Sequence, residues 1–304
     1  MSFFMGIDGG GSNLRVAIVD SEMETITIVR RGSANPNVIG RDQSAHLIQD
    51  AMQEALQAVE NDVVGVGVGI AGASAVYASD WLHEVIRAVL PDTTIAAASD
   101  IEIALVGAHG RREGILLLAG TGSVILGINA EGQMHQAGGW GYLLGDEGSG
   151  YWIGLQALKG LAKIFDGQFP SHTSLQQRII GELQLDRPTD LIRWVYGQKP
   201  SPVAEIAKFA RMVLEEAEAR DDYALGIIQN AATDLAHMVR TVIRVLNFTD
   251  PQIAFAGGLL ETPNILSQSV SNQLGLEEFP TVQYPPVIGA ALLAKSRFES
   301  DRKR

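Results

Sequence analysis

The segment that most constrains the fold is a glycine-rich turn between two apolar runs near the start of the chain. Residues 3–7 predict a buried strand that leads into Asp8, and residues 14–19 predict a second strand because they are rich in β-branched side chains. The runs are joined by five small or polar residues: Gly9, Gly10, Gly11, Ser12 and Asn13. Successive N–H groups unshielded by side chains form a nest for anionic oxygens, and an acid at a strand end suits Mg²⁺. The alternative is a tight hairpin whose glycines supply a positive φ.

Composition excludes several classes of protein. The 304 residues, 46% of them hydrophobic, are enough for one large or two ordinary domains with cores. A formal net charge of −12 argues against a nucleic-acid partner. No apolar run reaches the ~18 residues of a membrane span, and the start lacks the basic region of a signal peptide, so we expect a cytoplasmic protein. The absence of cysteine excludes disulfides, thiolate metal sites and cysteine nucleophiles.

The second third of the chain repeats the arrangement at its start. An apolar run over 114–118 predicts a strand, a small-residue loop follows, and 124–128 predicts the next strand. The loop contains Gly120, Thr121, Gly122 and Ser123. Two such hairpins about 110 residues apart predict two similar domains facing each other across a cleft, with one phosphate-binding loop on each wall. The alternative is coincidence in a chain with 33 glycines.

Asp100 has two compatible interpretations. It follows a predicted strand over 94–98 and Ser99, and it opens the apolar segment 101–108, a position typical of a helix N-cap. A carboxylate at that position is also suited to act as a general base, because helix N–H dipoles keep it ionised.

Two further segments have the composition of binding loops. Residues 138–152 combine glycines, adjacent acids and aromatic side chains, which suits a sugar ring that needs hydrogen-bond acceptors and an apolar wall. The alternative is an aromatic loop packed on the core. Gly257 and Gly258 follow a predicted strand, and we expect them to open a helix. Without side chains, they would let a flat adenine or ribose lie against the backbone. The alternative is a helix-packing turn.

Taken together, these motifs resemble the N-acetylglucosamine kinases, which belong to the sugar-kinase, heat-shock-chaperone and actin superfamily of ATPases. The superfamily also includes the related dehydratase-activating ATPases. The resemblance covers essentially the whole chain. It rests on the ordered segments 8–12, 99–100, 120–123, 138–152 and 257–258.

The resemblance implies an α/β fold of two RNase H-like, actin-like ATPase domains hinged around a nucleotide cleft. The expected limits are 1–112 and, with helical insertions, 113–285, while a C-terminal helix over about 286–304 packs back on the first domain. It also implies ATP and Mg²⁺, with Asp8 ordering the metal, Ser12 and Thr121 meeting phosphate, and Gly257 and Gly258 beside the adenosine. Sugar-site positions are Asn35, Asp100, Gly139, Trp140 and Asp146, with Asp100 as the base. Two departures are Ser12 where the family usually has Thr and Gly150 where it usually has Ala.

The expected function is therefore ATP-dependent phosphorylation of an amino sugar, N-acetylglucosamine to its 6-phosphate, by a homodimer. Glucosamine or another N-acetylated hexosamine is the alternative substrate. A dehydratase-activating ATPase would need cysteines for its iron–sulfur cluster, and the chain has none. A non-catalytic sugar or nucleotide sensor is the remaining alternative. Its repressor form would need a DNA-binding extension, for which we expect no room before the first strand.

Overall fold

The computed structural model describes residues 2–11, 13–60, 62–72, 79–168, 173–197 and 202–303. The chain divides into two compact units. Unit 1 comprises Met1–Gly114, Ile128–Gln133 and Val282–Arg304, and unit 2 comprises Ile115–Gly127 and Met134–Thr281. The domain limits expected from the sequence remain a prediction.

Nine strands are assigned within the described residues. They are β1 (Phe3–Gly9), β2 (Leu14–Val19), β3 (Thr25–Arg31), β4 (Val63–Ile70), β5 (Thr94–Ala98), β6 (Gly114–Ala119), β7 (Ser123–Ile128), β8 (Met134–Gly138) and β9 (Ile253–Ala256).

Eleven helices are assigned within the same ranges. They are α1 (Pro36–Ile39), α2 (Arg41–Leu56), α3 (Ser79–Arg87), α4 (Asp100–His109), α5 (Gly150–Phe165), α6 (Ser174–Leu183), α7 (Pro188–Gly197), α8 (Val203–Glu218), α9 (Asp222–Val245), α10 (Ile265–Leu274) and α11 (Pro286–Arg302). In the part of the chain described here, no helix is both long and apolar enough to cross a membrane.

Unit 1 is built on a mixed five-stranded sheet in the order β3-β2-β1-β4-β5. The first three strands form an antiparallel meander, and β4 and β5 extend the sheet in parallel from β1. The carboxyl ends of β1, β4 and β5 therefore lie at one edge of the sheet. In open α/β sheets this edge is where ligands bind.

Both faces of the unit 1 sheet are covered, and β1 is buried along its whole length. Alternate residues of this strand enter different cores, as the two-residue period of a strand requires. Met5 belongs to a core cluster with Met52 of α2, whereas Phe4 belongs to a cluster with Val287 and Ala291 of α11. The layers of unit 1 are thus helix, sheet and helix.

Helix α11 approaches the sheet most closely at two glycines, one on β1 and one on β4. Gly6 and Gly67 are partners in the β1–β4 ladder. A Cβ on Gly6 would overlap the carbonyl oxygen of Val287, and one on Gly67 would overlap that of Ala290. These two glycines are required by close approach of backbone to backbone.

Unit 2 contains a four-stranded sheet in the order β8-β7-β6-β9, with β6 and β9 parallel, together with helices α5–α10. Its core includes Leu117 and Phe255 of the sheet and Leu235 of α9. Helices α5 and α8 pack closely at Gly154, where an added Cβ would overlap the carbonyl oxygen of Ile206.

One element predicted from the sequence is wrong. Gly257 and Gly258 do not open a helix, since the segment after β9 is a turn and α10 begins only at Ile265. The turn depends on Gly257, which has φ +86° and whose added Cβ would overlap the carbonyl oxygen of Ala119. Packing against β6 therefore sets the path of the chain here.

Candidate active site

Asp8 lies at the carboxyl end of β1, directly across the ladder from Arg15 on β2. Arg15 Nη1 donates to Asp8 Oδ2 at 3.0 Å. Burial raises the pKa of Asp8, the guanidinium of Arg15 opposes this rise, and the carboxylate of Asp100 adds to it. The ion pair engages one carboxylate oxygen and leaves Oδ1 for another partner.

Among the described residues of the turn after β1, the N–H of Gly10 donates to the carbonyl oxygen of Asn13 at 2.8 Å. Ser12 lies outside the described residues. β1 and β2 form an antiparallel hairpin, but none of Gly9, Gly10 and Gly11 has a positive φ. The part of the hairpin alternative in which these glycines supply that conformation is therefore wrong. Packing disfavours a side chain at Gly9, because a Cβ there would overlap Cδ1 of Ile70, which is itself buried.

Gly10 and Gly11 have space around them. A Cβ on Gly10 would meet only the carbonyl oxygen of Asn13 at an ordinary 3.6 Å, and one on Gly11 would meet nothing within 4 Å. Neither conformation nor packing explains these two glycines. Close approach of a ligand to the backbone would explain them.

Asp100 is the first residue of α4 and is separated from β5 by Ser99 alone. The N-cap is Ser99, whose hydroxyl oxygen accepts the N–H of Glu102 at 3.2 Å. The alternative in which Asp100 caps the helix is therefore wrong. Asp100 is exposed, and its carboxylate makes no hydrogen bond or ion pair with another described residue.

Asp8 lies at the end of β1 and Asp100 lies just beyond the end of β5, at the same edge of the sheet, with β4 between the two strands. Two strand spacings separate β1 from β5 by about 10 Å. The carboxylate of Asp100 makes the smallest of the contributions to the raised pKa of Asp8. Within the described residues, this edge of the unit 1 sheet thus presents a buried carboxylate paired with Arg15 and an exposed carboxylate without a partner.

Asn35 joins this edge from the segment after β3. It is the N-cap of α1, and its Oδ1 accepts the N–H of Asn37 at 2.9 Å. Asn37 Nδ2 in turn donates to the carbonyl oxygen of Gly72, just beyond β4, at 2.9 Å. Sequence reasoning missed Asn37. The repeated asparagines around Pro36 were its only signal, since the partner is 35 positions away.

In unit 2, the loop between β6 and β7 is fixed against the start of α5. The N–H of Gly120 donates to the carbonyl oxygen of Gly122 at 2.9 Å. The carbonyl oxygens of Gly120 and Thr121 accept the N–H groups of Gly150 and Tyr151 at 2.8 and 3.1 Å. A Cβ on Gly150 would lie 3.0 Å from the carbonyl oxygen of Gly120, so the glycine that departs from the family pattern contacts this loop.

The side chains of the loop differ in exposure. Thr121 is exposed, whereas Ser123 is buried and donates its hydroxyl to the carbonyl oxygen of Glu147 at 2.8 Å. A Cβ on Gly120 would meet nothing within 4 Å, and one on Gly122 would lie 3.0 Å from Asp146 Oδ2. Gly120 and Thr121 are thus the open part of this loop.

Asp146 lies behind that loop in unit 2. It is buried, adopts φ +63°, and accepts the N–H of Ser123 at 3.3 Å through Oδ1. Burial raises its pKa, the Ser123 N–H opposes the rise, and neighbouring Glu147 adds to it. Asp234 of α9 also has a raised pKa, from burial and then from Glu147, so this region is acidic.

The aromatic loop before α5 is the exposed part of the 138–152 segment. Trp140 is 74% exposed, so the alternative of an aromatic loop packed on the core is wrong for this side chain. Gly139, which precedes it, is exposed with φ +74°. Tyr142 packs edge-to-face on Tyr151 with ring centroids 5.3 Å apart. Beyond β9, Gly258 is open, with nothing within 4 Å of an added Cβ.

Each unit by itself contains open glycines. In unit 1, Gly10 and Gly11 leave room for a ligand close to the backbone, and Asp8 lies beside them; in unit 2, Gly120 and Gly258 leave similar room. The described residues contain no cluster of three acids or histidines suited to a metal. Mg²⁺ in nucleotide sites nevertheless needs only one or two carboxylates, because it keeps several waters, and Asp8 supplies one.

Two mixed sheets with flanking helices place the chain in the class of actin-like ATPase folds. A protein from Chromobacterium violaceum, provisionally named N-acetylglucosamine kinase, has the same fold. Its TM-score is 0.72 at 24% identity, with 96% of this chain and 98% of that chain covered.

A model of the BadF/BadG/BcrA/BcrD ATPase family matches residues 5–294, and the chain belongs to this family. It is 32% identical over 307 residues to the N-acetylmuramic acid/N-acetylglucosamine kinase of Clostridium acetobutylicum, covering 97% of this chain and 99% of the relative. It is 27% identical over 238 residues to the glucosamine kinase GspK of Vibrio cholerae, covering 77% and 78%. These relatives are named for sugars that differ at C2.

Proposed function

We propose that the protein is an ATP-dependent kinase that phosphorylates an amino sugar, N-acetylglucosamine on its 6-hydroxyl. The observation that carries the proposal is Asp100, an exposed carboxylate that has no partner among the described residues and lies at the ligand edge of the unit 1 sheet. Membership of an ATPase family and the names of full-length relatives support the same assignment.

Asp100 acts as the general base. It accepts the proton of the sugar hydroxyl while the hydroxyl oxygen bonds to the γ-phosphorus of ATP and the bond to the leaving ADP breaks. Ser99 supports this role because it caps α4 and so leaves the Asp100 carboxylate available.

The glycine loops bind the phosphates. Gly10 and Gly11 in unit 1 and Gly120 in unit 2 offer backbone N–H groups that no side chain shields, and Thr121 adds an exposed hydroxyl. Asp8 would hold Mg²⁺, which when bound neutralises charge on the phosphate oxygens. The same proposal includes the remaining site residues. Those that contact the nucleotide are Ser12, Asn13, Ser123, Gly257 and Gly258. Those that contact the sugar are Asn35, Gly139, Trp140 and Asp146.

A panel of sugars tests the proposal, with ADP release and the phosphorylated sugar measured together. We expect N-acetylglucosamine to give stoichiometric sugar phosphate and ADP, with ADP release absent when sugar or Mg²⁺ is omitted. Glucosamine and N-acetylmuramic acid are included because relatives carry those names. Sugar binding without phosphate transfer for every sugar would instead favour a sugar-sensing protein.

A further inference from the structure

The orientation of the Asn35 amide is fixed by its hydrogen bonds. A backbone N–H can be accepted only by an oxygen, so the bond from the N–H of Asn37 identifies the Asn35 atom on that side as Oδ1. The Asn35 amino group therefore points away from α1. It makes no hydrogen bond with another described residue.

The segment that contains Asn35 is held by hydrogen bonds with Ser33, Ser44 and Asn37. The hydroxyl of Ser33 accepts the N–H of Asn35 at 3.2 Å, and the buried hydroxyl of Ser44 on α2 donates to the carbonyl oxygen of Ala34 at 2.6 Å. Asn37 provides the link to the sheet edge, through the carbonyl oxygen of Gly72 at 2.9 Å.

Gly72 contacts the side chains of both Asn35 and Asn37. It has φ +78°, and a Cβ there would overlap Asn35 Oδ1 and lie 2.8 Å from Asn37 Nδ2. The two asparagine side chains therefore pack over a position where only glycine leaves room. This arrangement places the Asn35 amide beside the end of β4, which lies between β1, the strand that contains Asp8, and β5, the strand that leads to Asp100.

We infer that Asn37 is a positioning residue that holds the Asn35 amino group as a hydrogen-bond donor to an oxygen of the sugar. The inference rests on the proposed kinase function. An amino group selects an acceptor, so the sugar must present a hydroxyl or carbonyl oxygen there. Asn37 itself does not touch the sugar.

The test compares steady-state kinetics of the wild type with Asn37→Ala and Asn37→Asp. Asp at position 37 keeps its backbone N–H bond to Asn35 but has no donor for Gly72. We expect both variants to raise the KM for the sugar about five- to ten-fold, the effect of losing one neutral hydrogen bond. The KM for ATP and kcat at saturating sugar should stay within about two-fold of the wild type. Gly72→Ala should reproduce the sugar effect from the opposite side of the contact.

The matched control is Asn272→Ala, which removes an exposed asparagine of α10 in unit 2 and should change neither KM. A double variant then tests the route of action. If Asn37 works through Asn35, then Asn35→Ala with Asn37→Ala should be no worse than Asn35→Ala alone.

Additive effects in the double variant, or an unchanged KM for the sugar in both Asn37 variants, would overturn the inference while leaving the kinase function intact. An equal rise in the KM for ATP would also overturn it, because it would indicate a general structural role. A wild type that transfers phosphate to no sugar in the panel overturns the proposed function and the inference with it.

Discussion

At the scale of single residues, Asp100 is the acid on which the proposed transfer depends. Its neighbour Ser99 caps α4, so Asp100 can be changed without removing the cap. We expect Asp100→Asn to lower kcat by ~10²-fold or more, the range that general-base catalysis supplies, with little change in the binding of ATP or sugar.

Asp80→Asn is the matched control for Asp100→Asn, because Asp80 is an exposed acid in the first turn of α3 in the same unit. It should retain wild-type turnover. Stopped-flow or steady-state ADP release measures turnover, and isothermal calorimetry measures binding. If Asp100→Asn kept most of its activity, another group would have to be the base.

The open glycines provide the second residue-scale prediction. Gly10→Val and Gly120→Val should raise the KM for ATP at least ~10-fold, because a branched side chain blocks the exposed N–H groups. Neither Cβ meets an obstacle in the protein, so the thermal midpoint should stay nearly constant.

Gly32→Val serves as the control for the glycine variants, since Gly32 is also open and has no positive φ. It should leave the KM for ATP unchanged. Gly122→Val is less informative, because a Cβ at that position would lie close to the Asp146 carboxylate. Unaltered ATP kinetics in both Gly10→Val and Gly120→Val would exclude a phosphate-binding role for these loops.

At the scale of elements, α11 determines how α4 is held. A Cβ on Gly289 of α11 would overlap the carbonyl oxygen of Ile103 and the N–H of Gly107 on α4. We expect Gly289→Ala to destabilise the protein by about 2 kcal/mol or more, because backbone must move to make room. Urea unfolding followed by circular dichroism measures the change in the free energy of unfolding.

A glycine-to-alanine substitution at Gly226 should raise the free energy of unfolding, whereas Gly289→Ala lowers it. Gly226 lies inside α9 with nothing within 4 Å of an added Cβ, so Gly226→Ala should stabilise its helix by up to ~1 kcal/mol. Because Asp100 begins α4, Gly289→Ala should also lower kcat, whereas Gly226→Ala should not. Equal stability changes at the two sites would show that the α4–α11 contact is not close.

At the scale of the whole molecule, the choice of sugar gives the last prediction. A free glucosamine amine is largely protonated near neutral pH, and burying that charge without a partner is costly. An acetamido group instead needs an apolar wall, which the exposed Trp140 can provide. We therefore expect N-acetylglucosamine to exceed glucosamine by at least ~10-fold in kcat/KM, about 1.4 kcal/mol of transition-state binding.

Competition between the two sugars at equal concentration measures this ratio directly. The Asp100→Asn variant serves as the control for turnover that does not depend on the proposed base. A preference for glucosamine would mean that an acid faces C2. Asp146 is buried against Ser123, so Glu147 would then be the first acid to replace.

Much of the chain could be predicted from the sequence because the signals are local. The strands around the first glycine turn follow from β-branched and apolar runs, and the strand predicted to end just before Gly257 and Gly258 is β9 (Ile253–Ala256). The placement of Asp8 at a strand end and Asp100 at a helix start follows from the same patterns. These features depend on neighbours within a few positions.

The rest was decided by tertiary contacts. Ser99 and Asp100 can both cap a helix, and the structure gives the cap to Ser99, which frees the acid. Asn37 meets Gly72 only because α1 packs beside the end of β4. Gly9, Gly150 and Gly257 are explained by packing, whereas Gly10, Gly11, Gly120 and Gly258 are not. A sequence presents all seven glycines alike, because the space around a Cα exists only once distant segments have packed.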